Sequence, residues 1–187
     1  EEAFRVYERG VQTFMFPNSR EIWLAYLQKF IARYGGDKLE RTRDLFEEAL
    51  VQCPPKDSRE FYILYADLEE AHGLGRRAMD VYDRAVQALP PPLKKSVLDV
   101  YLSKASEMMG IGKVREVFER AIEAEGPAAL PASDCRDLCQ RYATLEVKLG
   151  EVDRARSLWT HGAAMANPAQ STAYWAAWNA FEVKHGN

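Results

Sequence analysis

The chain has 187 residues, 47% of them hydrophobic and 28% charged, which is the balance of a soluble globular protein and not of a disordered one. The formal net charge of −3 argues against a surface dedicated to a phosphate backbone, for which a basic domain is expected. No apolar run approaches the roughly 18 residues of a membrane span, and the opening EEAFRVYERG lacks the pattern of a secretory signal.

The first elements along the chain are predicted to be helices. Residues 1–17 carry apolar side chains at helical spacing around Tyr7. The next helix is indicated by residues at i, i+3, i+4 and i+7, namely Trp23, Tyr26, Leu27 and Phe30. The preceding Asn18-Ser-Arg-Glu21 offers a capping side chain with a glutamate three residues later. A Gly35-Gly36 turn and a third helix around Phe46 complete the pattern.

The same order of signals recurs along the rest of the chain. The helix opening is repeated 39 residues later as Asp57-Ser-Arg-Glu60. Because proline cannot continue a helix, five prolines mark the ends of successive units: Pro17, Pro54, Pro90, Pro127 and Pro168. No alternating run of β-branched residues predicts a strand.

Two interleaved columns of aromatic residues show that each unit has two helices, here named helix A and helix B. The helix A column is Tyr26, Tyr65, Tyr101, Tyr142 and Trp178, and the helix B column is Tyr7, Phe46, Tyr82, Phe118 and Trp159. Spacings of 36 to 41 residues within each column indicate a structural repeat. These residues without Tyr7, together with Trp23 and Trp175, form the predicted repeat core. A base-stacking role for the aromatics is the alternative, but their position on one helix face favours packing.

The period predicts the fold class, an all-α array of helical hairpins that stack into an α-α superhelix, because one hairpin of about 36 residues cannot bury its apolar face alone. The predicted units are 18–55, 57–92, 93–127 and 132–168, with a lone helix B at 1–17 and a lone helix A at 169–187. Neither end reads as a polar capping repeat, so we expect a segment of a longer array.

The repeat wording resembles the HAT, or half-a-TPR, repeat of RNA-processing scaffolds. Helix B carries its signature four times, as VYERG (6–10), LFEEA (45–49), VYDRA (81–85) and VFERA (117–121). The loop wording YGGDKLER and QCPP, with FEVKHGN at the end, is similar to the crooked-neck-like and XPA-binding-protein family of the spliceosomal nineteen complex. Departures fall in units three and four, where Leu98 and Cys139 occupy aromatic positions.

The resemblance implies a nuclear, non-enzymatic scaffold without a cofactor, which acts in pre-mRNA splicing. Its partners are expected to be other nineteen-complex subunits and an intron-binding helicase, close to intron or small nuclear RNA, with no membrane and no small-molecule substrate. A role in transcription-coupled DNA repair is associated with the same family. The alternatives are a HAT scaffold of pre-mRNA 3′-end processing or ribosomal RNA maturation, and direct RNA binding. A prenyltransferase α subunit is disfavoured because its Asn-Tyr and Trp-Arg wording is not found.

One basic segment is the best candidate for contact with RNA phosphates or an acidic partner. It surrounds the Gly35-Gly36 turn and contains Lys29, Arg33, Lys38, Arg41 and Arg43. Because Asp37, Glu40 and Asp44 interleave these cations, a solvated face is the competing interpretation.

Recurring charged residues indicate ion pairs and not catalysis. Glu69, Glu146 and Glu182 share one register of helix A, and Arg9, Arg84 and Arg120 share one register of helix B. A catalytic carboxylate would need a partner with a displaced pKa in a single cleft, whereas these residues recur in unit after unit. We therefore predict a recurrent contact of glutamate with arginine or backbone between adjacent helices, and no catalytic residues.

The three cysteines, Cys53, Cys135 and Cys139, are too few and too unevenly placed for a disulfide framework, which favours a reducing compartment. Cys135 and Cys139 lie one helical turn apart, as metal ligands could. No second pair of Cys or His accompanies them and His161 stands alone, so we predict buried apolar thiols and no metal site.

Overall fold

The computed structural model describes residues 2–186, and within them it contains ten α-helices, two single-turn 3₁₀ helices and no strand. The α-helices are α1 (Glu2–Thr13), α2 (Arg20–Tyr34), α3 (Leu39–Gln52), α4 (Arg59–His72), α5 (Gly75–Ala88), α6 (Pro91–Met108), α7 (Ile111–Glu123), α8 (Ala132–Lys148), α9 (Val152–Ala163) and α10 (Thr172–His185). The 3₁₀ turns are Pro55–Asp57 and Gly126–Ala128. The predicted all-α class is confirmed.

The predicted capping pattern at the helix openings is wrong. The residues that precede α2 and α4 are Ser19 and Ser58, not Asn18 and Asp57, and neither makes a side-chain capping hydrogen bond. Both serines already have helical backbone angles, because a turn leads directly into each helix. The Ser58 hydroxyl instead donates to the Pro55 carbonyl at 2.8 Å.

The chain forms two compact units, one ending at Tyr101 and the other beginning at Leu102, so the division falls within α6. In the first unit, consecutive helices from α1 to α5 pack against each other. In the second, α7, α8, α9 and α10 do the same. The division into hairpins stays a prediction, in which α2 would pair with α3, α4 with α5, α6 with α7 and α8 with α9, leaving α1 and α10 as single helices.

Stacked aromatic rings join four of the B helices to the helix A that follows. Four pairs share this arrangement, with ring centroids 4.8–5.7 Å apart and planes within 20°: Tyr7–Tyr26, Phe46–Tyr65, Tyr82–Tyr101 and Phe118–Tyr142. Offset stacking of this kind stabilises by about 0.5–1.5 kcal/mol beyond the burial of the rings. In these four pairs, an aromatic residue of the helix B column therefore stacks on the next aromatic residue of the helix A column.

The last pair departs from this pattern. Trp159 contacts Tyr174 and Phe181, while Trp178 lies against Trp175 with centroids 5.4 Å apart. Trp175 and Trp178 are only half-buried, whereas the other nine residues of the predicted repeat core are buried. The Trp178 indole N–H donates to Glu182 of the same helix at 3.2 Å.

The buried tyrosines of helix A are satisfied by an acid on the preceding helix B. Tyr26 donates to Glu8 at 3.0 Å and Tyr142 donates to Glu119 at 2.9 Å. Tyr101 makes the equivalent bond to Asp83 at 2.9 Å. Burial, assisted by the neighbouring carboxylate, raises the pKa of Tyr142 to about 12. The acid of the VYERG-type signature therefore accepts a hydrogen bond inside the repeat core.

An arginine–glutamate pair recurs one turn away on the same helices. Arg43 binds Glu69 through Nε and Nη2, Arg115 binds Glu146 at 2.8 and 3.0 Å, and Arg156 binds Glu182 at 3.2 and 3.3 Å. The predicted recurrent ion pair exists, but the arginine assignment was wrong. Arg84 binds Glu47 and Arg120 binds Glu116 instead.

Where the ion pair is missing, both of its positions are apolar. The arginine lies three residues before the helix B aromatic, and the glutamate lies four residues after the helix A aromatic. In α5 and α6 these positions hold Met79 and Ala105, both buried. In α1 and α2 they hold Phe4 and Phe30, whose ring centroids are 5.3 Å apart. These two positions are thus occupied either by an arginine and a glutamate or by two apolar residues. Neither combination leaves an unpaired ion buried at these positions.

Candidate functional site

The structure separates the basic segment into two groups. Arg41 lies 3.5 Å from Glu8 and 3.4 Å from Glu48. Arg43 binds Glu69 and also Glu40, and its side chain is only 11% exposed. Hydrogen bonds to Glu69 raise the pKa of Arg43 further above its ordinary range. Both arginines are therefore engaged within the fold.

The other three cations of the segment are exposed and lie over aromatic rings. Lys38 Nζ is 4.0 Å from the centroid of the Tyr34 ring, and the Arg33 guanidinium is 5.8 Å from the same centroid. Lys29 Nζ is 5.4 Å from the centroid of the Tyr7 ring. Cation–π attraction holds such side chains at the surface without neutralising them. Lys29, Arg33 and Lys38 are therefore cations that an acidic partner could reach from solvent.

An apolar groove of about 330 Å³ lies between the A helices α2 and α4. We name it the α2–α4 groove. It is lined by Gln28, Ile31 and Ala32 from α2 and by Leu64, Asp67, Leu68, Ala71 and His72 from α4. His72, in the last turn of α4, ends the groove and also lies against Gly35 and Gly36. This is a place where a partner could insert apolar side chains between two A helices.

The second unit has an equivalent groove of about 240 Å³ between the A helices α8 and α10, named the α8–α10 groove. Its lining is Thr144 and Val147 from α8, Trp159 from α9, and Ala180, Phe181, Lys184 and His185 from α10. Counted from the helix A aromatic, both grooves use positions +2 and +5 of the first helix. From the second helix both use +2, +3, +6 and +7. The histidine at +7 is His72 in one groove and His185 in the other.

The equivalence of the grooves follows from the repeat itself. The helix A aromatic and the residues on its face turn towards helix B, which leaves the residues two and five positions later on the opposite side. At those positions Gln28, Ile31, Thr144 and Val147 line a groove between two A helices. The residues that line the grooves can be recognised in the sequence only once the aromatic columns are known to be buried.

The cysteine pair is not isolated, contrary to the expectation from spacing. Cys135, Cys139 and His161 place their ligand atoms, the two Sγ atoms and an imidazole nitrogen, within 4.8 Å of one another. Both thiols are buried and His161 is exposed. The prediction of buried thiols agrees with this, but the statement that His161 stands alone is wrong, because α9 folds back onto α8. All three cysteines are free thiols.

Within residues 2–186, no helix combines the length and the apolar composition that crossing a membrane requires.

One family of known proteins is similar to this chain along its whole length. The family described as "Pre-mRNA-splicing factor Syf1/CRNKL1 C-terminal HAT repeat" matches residues 1–187. The chain belongs to this HAT-repeat family. The fold class is therefore that of a HAT-repeat helical solenoid, as the aromatic columns predict.

Individual proteins named as splicing factors are also similar to this chain over all 187 residues. The chain is 48% identical over all 187 residues to the Drosophila melanogaster "Pre-mRNA-splicing factor syf1 homolog" and covers 21% of it. It is 46% identical over the same residues to the Homo sapiens "Pre-mRNA-splicing factor SYF1", again covering 21%. For Schizosaccharomyces pombe "Pre-mRNA-splicing factor cwf3" the identity is 42% and the coverage 23%. The chain spans about a fifth of the length of these relatives.

Proposed function

We propose that this chain is a protein–protein interaction scaffold of the spliceosome that acts in pre-mRNA splicing. The observation that carries the proposal is the pair of equivalent apolar grooves, α2–α4 and α8–α10, in a chain that matches a splicing-factor HAT repeat along its whole length. The relatives named as pre-mRNA-splicing factors support the process. A splicing partner would insert apolar side chains of a helix or an extended segment into the grooves.

The rigidity of the hairpins supports a scaffolding mechanism. Stacked rings, tyrosine–acid bonds and arginine–glutamate pairs fix each helix to its neighbour inside a unit, so the walls of a groove are ordered before a partner arrives. A preorganised surface loses little conformational entropy on binding. Grooves that each bind with low affinity can then hold a partner firmly when it occupies several of them at once.

The finer assignments rest on the resemblance to the crooked-neck-like and XPA-binding-protein family. They are action in the nucleus, membership of the nineteen complex, contact with an intron-binding helicase and a second role in transcription-coupled DNA repair. The chain itself is non-enzymatic in this proposal. The recurrent glutamates support that view, because Glu69 and Glu146 are buried and held by arginines at equivalent positions of different repeats.

A charge placed in the α2–α4 groove tests the proposal. Ala32 is an exposed helical residue on the groove wall, and arginine is a good helix former, so Ala32→Arg should leave the fold intact. It would place an unpaired cation against the apolar side chains of the partner. We expect capture of spliceosomal proteins to fall at least about tenfold, because burying an unpaired interface charge costs about 2–5 kcal/mol. Quantitative mass spectrometry of crosslinked complexes measures the loss.

The matched control is Ala88→Arg, which adds the same charge at an exposed position in the last turn of α5, away from the groove. It should leave capture unchanged. Equal effects of Ala32→Arg and Ala88→Arg would contradict the groove as the docking surface. Failure of the unsubstituted chain to capture any splicing protein would contradict the scaffold function itself.

A further inference from the structure

Three departures from the repeat pattern converge at one place in the second unit. Cys139 lies three residues before the helix A aromatic, where other A helices have Trp23, Tyr62, Leu98 or Trp175. Cys135 lies seven residues before it, where they have Ser19, Ser58, Lys94 or Ser171. His161 lies two residues after the helix B aromatic, where other B helices have Arg9, Glu48, Arg84 or Arg120. Only the α8–α9 hairpin puts sulfur and imidazole at all three positions.

The cluster satisfies the donor chemistry of a thiophilic metal ion. Two thiols and one imidazole have their ligand atoms within 4.8 Å of one another. In a tetrahedral zinc site with Zn–S bonds of about 2.3 Å, two thiolates lie roughly 3.8 Å apart. Side-chain adjustments of about 1 Å or less would bring all three atoms to the metal. Two thiolates also balance the charge of a divalent cation, which removes the cost of burying either one alone.

Local packing supports a close approach of the two helices. Gly162 follows His161, and a side chain there would meet the Tyr174 hydroxyl group and, at 3.2 Å, the Cβ of Cys139. The absence of that side chain lets α9 approach the Cys139 side of α8. His161 is exposed, so an ion has a route from solvent and a fourth position is open to water.

Cys135 also has an ordinary structural use. Cys135 Sγ lies 3.8 Å from the Ile122 carbonyl, the register equivalent of the Val86 carbonyl that accepts from Lys94. That contact explains a polar residue at position 135. It does not explain a second sulfur at 139 or an imidazole at 161. Cys53, by contrast, is a buried thiol whose pKa is raised to about 11 by burial, and it belongs to no such cluster among residues 2–186.

We propose that Cys135, Cys139 and His161 form a zinc-binding site that clamps α8 to α9. None of the three residues lines either groove, so the site can be tested separately from the scaffold function. Zinc bound there would stabilise the second unit, because an ion that binds only the folded state raises its stability. The chemical class is a d¹⁰ or similar thiophilic divalent cation held by two thiolates, one imidazole and water.

Titration of the reduced protein with Co²⁺ and then Zn²⁺ tests the site. We expect one equivalent of Co²⁺ to produce thiolate-to-cobalt charge-transfer absorption with the visible bands of tetrahedral coordination, and Zn²⁺ to abolish both. His161→Gln changes an exposed residue and should not affect folding, yet it should weaken Zn²⁺ binding at least about 100-fold, since even outer-shell partners of metal ligands contribute 10–100-fold.

The matched control is His185→Gln, which removes the histidine in the last turn of α10 and should leave Zn²⁺ affinity unchanged. Circular dichroism of both variants verifies that helix content is preserved. Absence of thiolate-to-cobalt absorption would overturn the proposal, and so would equal Zn²⁺ affinity of the His161→Gln and His185→Gln variants. Cys135→Ser gives a further check, because serine keeps a hydroxyl near the Ile122 carbonyl while removing one ligand.

Discussion

Replacement of Arg43 by methionine is expected to lower the free energy of unfolding of the first unit by about 3–5 kcal/mol, because removal of one partner leaves a buried charge uncompensated. Glu69 is 1% exposed and its two carboxylate oxygens face Arg43 Nε and Nη2. The Glu69 carboxylate also lies close to Gly73, where any side chain would collide with it. Urea unfolding followed by circular dichroism measures the change.

The chain itself supplies the compensating substitution. Met79 and Ala105 occupy the positions equivalent to Arg43 and Glu69, so the double variant Arg43→Met/Glu69→Ala should recover a large part of the loss. Arg84→Met is the matched control, because the Arg84–Glu47 pair is 45% and 44% exposed and such pairs contribute about 1 kcal/mol or less. Equal destabilisation by Arg43→Met and Arg84→Met would contradict a structural role for the buried pair.

Phe46→Ala is expected to cost about 3–5 kcal/mol of unfolding free energy, the usual range for removing a buried phenylalanine. Phe46 has no exposed surface, and its ring stacks on Tyr65 with centroids 4.8 Å apart and planes 5° from parallel. The substitution removes the ring and leaves a cavity between α3 and α4. Chemical denaturation measures the loss, and hydrogen exchange should show it concentrated in these two helices.

Phe14→Ala is the control for Phe46→Ala, because Phe14 is 51% exposed and lies beyond the end of α1. It should cost about 1 kcal/mol or less. Similar losses for the two variants would show that the stacked column does not hold the hairpins together.

The all-α class could be predicted from the sequence because the buried face of a helix determines the spacing of its apolar residues. An apolar face that packs against a neighbour must recur every three to four residues, and a repeated hairpin must repeat that face. The aromatic columns therefore predict which residues form the repeat core, but not which rings stack on each other. Helix starts were less predictable, since Asn18 and Asp57 have capping chemistry but a preceding turn moves the N-cap position to Ser19 and Ser58.

The ion-pair partners could not be read from a single helix. Which arginine faces Glu69 depends on how α3 is rotated against α4, and the repeated Arg84 register was the more conspicuous choice. Comparison of the repeats within the chain could have identified the partners, because the two positions vary together from repeat to repeat. They hold arginine and glutamate in some repeats, and Met79 with Ala105 or Phe4 with Phe30 in others. The same comparison would have drawn attention to Cys135, Cys139 and His161, which differ from their equivalents in one hairpin.

The basic segment shows the limit of proximity along the chain. Arg41 and Arg43 lie on α3 and form ion pairs, whereas Lys29, Arg33 and Lys38 lie over aromatic rings at the surface. Their closeness in sequence did not predict these different environments, because successive residues of a helix point to different sides.

Titration of single-stranded RNA against the purified protein at several salt concentrations tests the central claim, that this chain binds protein partners and not nucleic acid. A scaffold with a net charge of −3 is predicted to bind RNA weakly while it captures spliceosomal proteins through its grooves. Tight binding that falls steeply with salt, and that is lost when Lys29, Arg33 and Lys38 are replaced by glutamine, would contradict it.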